Sequence, residues 1–250
     1  MHSQRGSSLE LNMTLHCLCV GLKMQSWCCC RYKGQIVLQH SSRYEVVFNG
    51  TGVPSSLSFP RDIQGVIIQG PWANTWNGMR NLLAQSNRIG VAIFVSDENM
   101  RALSACSDIY VDGTFRTAPH PHTQIITIHG KYQGWVLPLV MAFSTGKQEA
   151  QYRCILRSVG LGMQHICNRN WQPQRVITDF EVALINALRL ELPQTQRKGC
   201  YFHFTQSIMR RVSDLGLRPA YHNDPVVQQI VRRIMSLGYI PIAHVRIMFM

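Results

Sequence analysis

Three strand patterns follow one another between residues 107 and 144, separated only by short turns, and no other feature constrains the fold as strongly. The first, IYVDGTF, alternates apolar and polar side chains from Ile109 to Phe115, as a half-buried strand does. TQIITIHG and GWVLPLVMAFS are two further strands, with a turn-like KYQG at 131–134 between them. Strands joined by such short connections pair antiparallel. We therefore predict an antiparallel meander whose third strand lies at the sheet edge, because Pro138 cannot donate to a strand ladder.

Downstream of the meander, helices and strands alternate. A helix is predicted over 148–168, with Tyr152, Ile155, Leu156 and Val159 on one face. The strand QRVIT, the helix FEVALINALRLEL and a fifth strand, RKGCYFHF, follow in turn, and helical stretches are predicted near 204–214 and 225–237. Helices between strands are the crossovers that parallel strands require. This order predicts an α/β fold with an RNase H-like mixed sheet, a three-stranded antiparallel meander plus two parallel strands, and then the start of a helical insertion.

The remaining segments complete a division into four regions. We predict a small β-rich N-terminal region at 1–60, a lead-in segment at 61–106, the core at 107–204 and the start of the insertion at 205–250. Within the first region, 34–40 and 43–48 have strand character, and the stretch 50–60 is a linker rich in Gly, Pro and Ser. The lead-in holds a strand at 89–95 and a short helix that begins at Ser96 or Asp97.

Charge and cysteine content limit the class of protein. Twenty-five Lys and Arg against 13 Asp and Glu give a net charge of +12, which favours a polyanionic partner, because phosphate neutralisation releases condensed counterions. The alternative is a basic soluble protein without such a partner. Nine cysteines, three of them adjacent at Cys28–Cys30, favour a reducing compartment over a disulfide framework. No membrane span is predicted, and His16 interrupts the faint signal-peptide resemblance of residues 11–22.

Two acids stand at corresponding places in the predicted strands. Asp112 is near the end of the first strand of the meander, and Asp179 follows the fourth strand in VITDFE. If these strands are neighbours, both carboxylates converge at one end of the sheet, where their oxygens suit Mg²⁺. Each acid alone has another interpretation. Asp112 is compatible with a turn before Gly113, and Asp179 with a helix N-cap.

The sequence TDFE also fits a capping box. In that interpretation Thr178 is the cap and Glu181 is the residue that bonds back to it. The strand order and the two acids taken together favour a metal site over these alternatives.

Several stretches, taken in order, resemble the transposase domain of Mutator-like elements (MULE). They are YVDGTFRTAP, QIITIHG, LPLVMAFSTGKQEAQYRCIL, VITDFEVALINAL and GCYFHFTQSIMRRV, and the resemblance extends over about residues 89–241. DGTF, DFE and the GCxFH pattern at 199–203 are specific as a set. The resemblance implies a nuclear enzyme of the DDE type that cuts transposon ends and joins them to target DNA with Mg²⁺ or Mn²⁺. By position it makes Asp112 and Asp179 catalytic residues and metal ligands, the first two members of the triad.

Cys200 and His203 match the Cys-x-x-His element of the family. One such pair cannot complete a four-ligand zinc site, and Cys200 is expected to pack as a buried thiol. The role of His203 is left unassigned.

The chain departs from the family at the third acid. In the family this residue is a Glu beyond the helical insertion that begins after GCYFHF. None of the acids after Asp179 stands at the matching place; they are Glu181, Glu191, Asp214 and Asp224. We therefore expect the triad to be incomplete in this chain. Whether the chain, as a fragment of a transposase, has enzymatic activity is not predicted.

The N-terminal stretch WCCCRYKGQIVLQHSSRYEVVFNGTG is similar to a degenerate FLYWCH-type zinc finger. Trp27 and the cysteines after it fit the start of that module, but Gly34 stands near the place of a later cysteine, and Gly-Thr-Gly replaces His-x-His after Asn49. Zinc needs four ligands, so Zn²⁺ is not expected to bind here, although His40 and the cysteine cluster leave an irregular site open.

Paired arginines predict the DNA-binding surface. Arg210, Arg211, Arg232 and Arg233 lie on the helices predicted after the fifth strand, where we expect them to contact phosphates without reading sequence. A solvated helix face is the alternative. The partners are then DNA, as transposon ends and target, and a second copy of the chain is a further candidate.

Two other functions stay open beside a transposase or a fragment of one. One is a non-catalytic DNA-binding protein derived from a transposase, and the other is a nuclease without strand transfer.

Overall fold

The computed structural model describes residues 28–32, 35–39, 63–115 and 118–245. The strands are β1 Cys28–Tyr32, β2 Gln35–Gln39, β3 Leu82–Ser86, β4 Val91–Phe94, β5 Asp108–Thr114, β6 Gln124–Tyr132, β7 Trp135–Ser144, β8 Arg175–Thr178 and β9 Gln196–Gly199. The α-helices are α1 Asp97–Ser104, α2 Glu149–Cys167, α3 Val182–Glu191, α4 Tyr201–Asp214, α5 Arg218–Asn223, α6 Pro225–Ser236 and α7 Ile242–Val245. Short 3₁₀ turns cover Ile63–Gly65, Gly70–Ala73 and Leu237–Tyr239.

A seven-stranded sheet in the order β3-β4-β7-β6-β5-β8-β9 organises the chain. The strands β5, β6 and β7 pair antiparallel in sequence, as the predicted meander requires. The strand β8 begins beside β5, since the N–H of Arg175 donates to the carbonyl of Ser107 at 3.1 Å. In the same way, the N–H of Gln196 donates to the carbonyl of Gln174 at 2.9 Å, so β9 begins beside β8. Strands that start side by side run parallel, and the predicted RNase H-like α/β sheet is confirmed.

The prediction that Pro138 places the third strand at the sheet edge is wrong. The strand β7 lies between β6 and β4, because the earlier strands β3 and β4 extend the sheet on that side. The proline is accommodated because β4 pairs with β7 only from Met141 to Ser144. Pro138 itself is opposite His129 of β6, next to an irregularity in the register, and its side chain is exposed. Proline is thus confined to the half of the strand that β4 does not reach.

One apolar core contains side chains of the sheet and of the first three helices, α1, α2 and α3. Ser96 is the N-cap of α1, because its side chain accepts a hydrogen bond from the N–H of Asn99 at 3.2 Å. It is one of the two residues at which the helix was predicted to begin. The predicted apolar face of α2 is buried; its members Tyr152, Ile155, Leu156 and Val159 are each at most 3% exposed. Burial of each such side chain contributes about 1.5–3 kcal/mol, and this packing holds α2 against the sheet.

Two other predictions need correction or lie outside the described residues. The fifth strand ends at Gly199, and residues 201–204, predicted as its continuation, form the first turn of α4. In the N-terminal region β2 agrees with the predicted strand at 34–40, but its partner is β1. The predicted strand at 43–48 and linker at 50–60 lie outside the described residues, as does His40 of the irregular zinc site.

The chain forms two compact units. The first comprises the chain up to Ile177 together with Glu181–Arg197, and the second comprises Thr178–Phe180 together with the chain from Lys198 onward. In the part of the chain that the structure describes, no helix combines the length and apolar character needed to cross a bilayer.

Candidate active site

Asp112 is held on a strand whose opposite face is buried in the core. Ile109 and Val111 of β5 are 0% and 2% exposed. Asp112 and Thr114, which point to the other face of the strand, are partly exposed. The predicted alternation is therefore present at Ile109 and Val111, but Phe115, which was predicted on the same side, is 41% exposed. In the ladder with β6, Asp112 stands opposite Thr127. A strand that is anchored by its apolar face offers a carboxylate in a fixed direction, which a catalytic metal ligand requires.

Asp179 follows the last residue of β8. Val176 and Thr178 of that strand are 0% and 3% exposed, and Asp179 directly after them is partly exposed. Asp112 belongs to the first compact unit and Asp179 to the second.

The capping interpretation of TDFE is wrong. The helix α3 begins at Val182, so the residue at its N-cap is Glu181, and the Glu181 side chain makes no capping hydrogen bond. Thr178 is the last residue of β8 rather than a cap. The Glu181 carboxylate instead accepts a hydrogen bond of 2.7 Å from the hydroxyl of Tyr152 in α2. A tertiary contact thus replaces the local one that the sequence suggested.

Within 63–115 and 118–245, no three His, Cys, Asp or Glu side chains are grouped so that they could hold an ion. Two aspartates are nevertheless compatible with Mg²⁺, which uses one or two protein carboxylates and keeps several waters. They are not compatible with a structural zinc site, which needs four ligands from nitrogen and sulfur.

Cys200 and His203 meet at the start of α4. Cys200 stands at the N-cap of the helix, and its N–H donates to the carbonyl of Thr178 at 2.7 Å. Burial alone would raise the pKa of the Cys200 thiol, but hydrogen bonds with the side chain and backbone of His203 bring the pKa below its usual value. The expectation of a fully buried thiol is therefore not met, since Cys200 is partly exposed. The pair forms a polarised thiol at a helix N-terminus.

The arginines of the predicted DNA surface lie on helices of the second unit. Arg210 and Arg211 are in the last part of α4, and Arg232 and Arg233 are in α6. All four side chains are exposed. Exposed guanidinium groups on helices suit contacts with phosphate oxygens, which are independent of base sequence.

Two groups of buried polar residues were not predicted from the sequence. Asp108 is 7% exposed at the start of β5, and Arg175 at the start of β8 binds both of its oxygens. Gln124 is fully buried at the start of β6 and bonds to Tyr152. The only signal in the sequence was a polar residue at the beginning of each strand, which is equally typical of a solvated strand end.

Comparison with known families gives the same assignment as the sequence motifs. No curated protein matches the chain. A family model does match, over a stretch that begins at the first residue of β5 and ends within α4, and it includes both aspartates and the Cys200–His203 pair. The family model that matches is that of the MULE transposase domain, over residues 108–207, so this part of the chain is similar to transposases, and a DDE and RNase H-like superfamily is consistent with that family.

Proposed function

We propose that this chain is a Mutator-like DDE transposase domain, which cleaves DNA at transposon ends and joins these ends to target DNA in the nucleus. Asp112 and Asp179 are its catalytic carboxylates and ligand Mg²⁺ or Mn²⁺. The observation that carries the proposal is the family match over 108–207, which covers both aspartates together with the strands that bear or precede them.

The residues of the chain support this chemistry in three ways. The buried side chains of Ile109 and Val111 hold β5, and with it Asp112, against the core. The strand β8, which precedes Asp179, starts beside β5. The carboxylates provide the hard oxygen ligands that Mg²⁺ selects. When bound, such ions activate a water or a 3′-hydroxyl and stabilise the leaving oxygen of the phosphodiester.

The second unit supplies the DNA contact in this proposal. Arg210, Arg211, Arg232 and Arg233 neutralise phosphates on the strand that is cut, and the net charge of +12 favours the same partner. Such contacts position the DNA without selecting its sequence.

The proposal is tested by cleavage and strand transfer on plasmid DNA with Mg²⁺ or Mn²⁺. We expect Asp112→Asn and Asp179→Asn to lose cleavage and joining while DNA affinity stays near that of the wild type. Asp214→Asn, at the exposed end of α4, is the matched control that removes a carboxylate elsewhere and should keep activity. Cleavage at the wild-type rate by either of the first two variants would refute the metal assignment.

One observation favours a second candidate, a non-catalytic DNA-binding protein derived from a transposase. The described residues contain no grouping of three metal-ligating side chains. In that case the chain binds DNA through its arginines, and neither Mg²⁺ nor Mn²⁺ produces cleaved or joined products. Products that are cleaved but never joined would instead identify a nuclease.

A further inference from the structure

We infer that Tyr152 is a positioning residue for the metal site of the proposed function, on which this inference rests. Tyr152 lies in α2 and is 2% exposed. Its hydroxyl donates to the Glu181 carboxylate at 2.7 Å. Glu181 precedes α3 and comes two residues after Asp179 in the chain. The bond therefore ties the side chain two residues downstream of a proposed metal ligand to α2.

The direction of this hydrogen bond is determined by Gln124, a fully buried residue at the start of β6. Its amide nitrogen donates to the carbonyl of Gly146 at 2.6 Å, and because a carbonyl only accepts, the orientation of the amide is fixed. The same nitrogen lies 3.3 Å from the Tyr152 hydroxyl and donates to its oxygen. The hydroxyl also lies 3.4 Å from the side-chain oxygen of Gln124, but the Glu181 carboxylate at 2.7 Å is the much closer acceptor and therefore takes the hydroxyl proton.

The same network lies beside the strand that carries Asp112. The Gly113 backbone lies so close to Gln124 that a Cβ atom at Gly113 would be 3.4 Å from the side-chain oxygen of Gln124. Gln124, Tyr152 and Glu181 thus form a hydrogen-bonded chain within the first unit, which leads from the start of β6 to the N-cap residue of α3. Groups that hold metal ligands in place are nearly as important for affinity as the ligands, and their loss typically costs 10–100-fold.

Glu181 acts in this inference as an acceptor for Tyr152 and not as a metal ligand. Three substitutions distinguish an acceptor from a ligand. Tyr152→Phe keeps the buried ring and removes only the hydroxyl. Glu181→Ala removes the acceptor, whereas Glu181→Gln keeps an acceptor oxygen but removes the charge that a ligand would need.

The experiment is a titration of the full chain with Mn²⁺ alone, without DNA, read as calorimetric affinity and as the rise in Tm with added metal. We expect Tyr152→Phe and Glu181→Ala each to weaken Mn²⁺ affinity by roughly tenfold or more. The double variant should be no weaker than either single variant, because both remove the same bond. Glu181→Gln should stay within about threefold of the wild type, since the accepting oxygen is retained. Tyr132→Phe, which removes a hydroxyl at the far end of β6, is the control and should leave affinity unchanged.

Wild-type Mn²⁺ affinity in both Tyr152→Phe and Glu181→Ala overturns the inference and leaves the proposed function intact. Loss of binding in Glu181→Gln also overturns it, because Glu181 would then be a ligand itself. If Tyr152→Phe does not fold, the partly exposed Glu181 still permits the test through its two variants. Absence of Mn²⁺ binding by the wild type, or undiminished binding by Asp112→Asn and Asp179→Asn, refutes the proposed function, and the inference with it.

Discussion

The Arg175 guanidinium donates one hydrogen bond of 2.6 Å to each carboxylate oxygen of Asp108, so the first residues of β8 and β5 are paired. The Asp108 side chain is 10% exposed, and a buried carboxylate needs such a bidentate partner. The hydrogen bond to Asp108 also raises the pKa of Arg175. Burial, and then the charge of Asp108, raise the pKa of the neighbouring Cys106 thiol to about 11. The pair aligns two parallel strands at their starts, and β5 carries Asp112 four residues on.

Replacing Arg175 by Met should lower the free energy of unfolding by about 1–3 kcal/mol, because Asp108 would stay buried without its partner. Equilibrium unfolding in urea measures this difference. The double variant Asp108→Asn with Arg175→Met should recover part of the loss, since no buried charge then remains. Arg88→Met, at an exposed turn position, is the control. A loss in Arg175→Met no larger than in Arg88→Met would show that the pair does not stabilise the fold.

The strand that carries Asp112 could be predicted because its information is local. Alternation along β5 predicts which side chains enter the core, and the structure buries Ile109 and Val111 accordingly, whereas Phe115 beyond the end of the strand is exposed. Ser96 was found in the same way, since a cap is set by neighbours in sequence. Local patterns therefore suffice for the elements and for the face of β5 on which Asp112 lies.

Features that depend on distant partners could not be predicted. Glu181 looked like the second half of a capping box, but its carboxylate accepts instead from the hydroxyl of Tyr152, 29 residues away. Pro138 suggested an edge strand, but whether a neighbour covers it depends on where β4 ends. The first turn of α4 looked like a strand because Tyr201, Phe202 and Phe204 favour both structures by composition. In each case the deciding contact lies outside the window in which a pattern is visible.

His129 should make the fold less stable in acid. Burial lowers the pKa of this imidazole to about 4, below the usual value of about 6.5. The unfolded chain therefore takes up the proton at a higher pH than the folded chain does, and stability is lost as the pH falls from about 6.5 to about 4. The expected loss from this residue is about 3 kcal/mol across that window.

The measurement is the free energy of unfolding from pH 7.5 to pH 4.5 in wild type and His129→Leu. The variant should have the flatter profile, although some slope will remain because burial also lowers the pKa of His122. His222→Leu, at an exposed position of α5, serves as the control and should follow the wild type. Identical slopes in wild type and His129→Leu would contradict the burial argument.

Cys200 should be more reactive than Cys106 and Cys154 in the folded protein, because burial raises the pKa of both other thiols. The hydrogen bonds with His203 lower the pKa of Cys200 against the opposing effect of burial, whereas Cys106 has a pKa raised to about 11. Because the thiolate is the nucleophile, Cys200 should be alkylated by iodoacetamide at a lower pH than Cys106. Mass spectrometry of the alkylated protein across pH 6 to 10 resolves the two sites.

The contribution of the imidazole is isolated by His203→Ala, which should move the alkylation profile of Cys200 to higher pH. His222→Ala, in another helix of the same unit, removes a histidine without touching the thiol and should leave the profile in place. A profile that is the same in His203→Ala and in wild type would mean that the helix N-terminus alone sets the reactivity.

The arginines of α4 give a prediction about binding that does not depend on catalysis. The double substitution of Arg210 and Arg211 by Glu should lower affinity for duplex DNA of any sequence and flatten its dependence on salt. Each lost phosphate contact reduces the slope of log affinity against log salt concentration by about 0.9, so the pair should reduce it by about 2. Fluorescence anisotropy between 50 and 300 mM KCl, with DNAs of unrelated sequence, measures affinity and slope together.

The control is the double substitution Arg88→Glu with Arg101→Glu, which changes the net charge equally at exposed positions of the first unit. It therefore separates a specific contact from general attraction. An equal loss of slope in both double variants would mean that the overall charge attracts DNA and that α4 is not the contact surface. A selective loss in the Arg210 and Arg211 variant would assign the phosphate contact to the end of α4, because only a counterion released at a defined contact changes the slope in a position-dependent way.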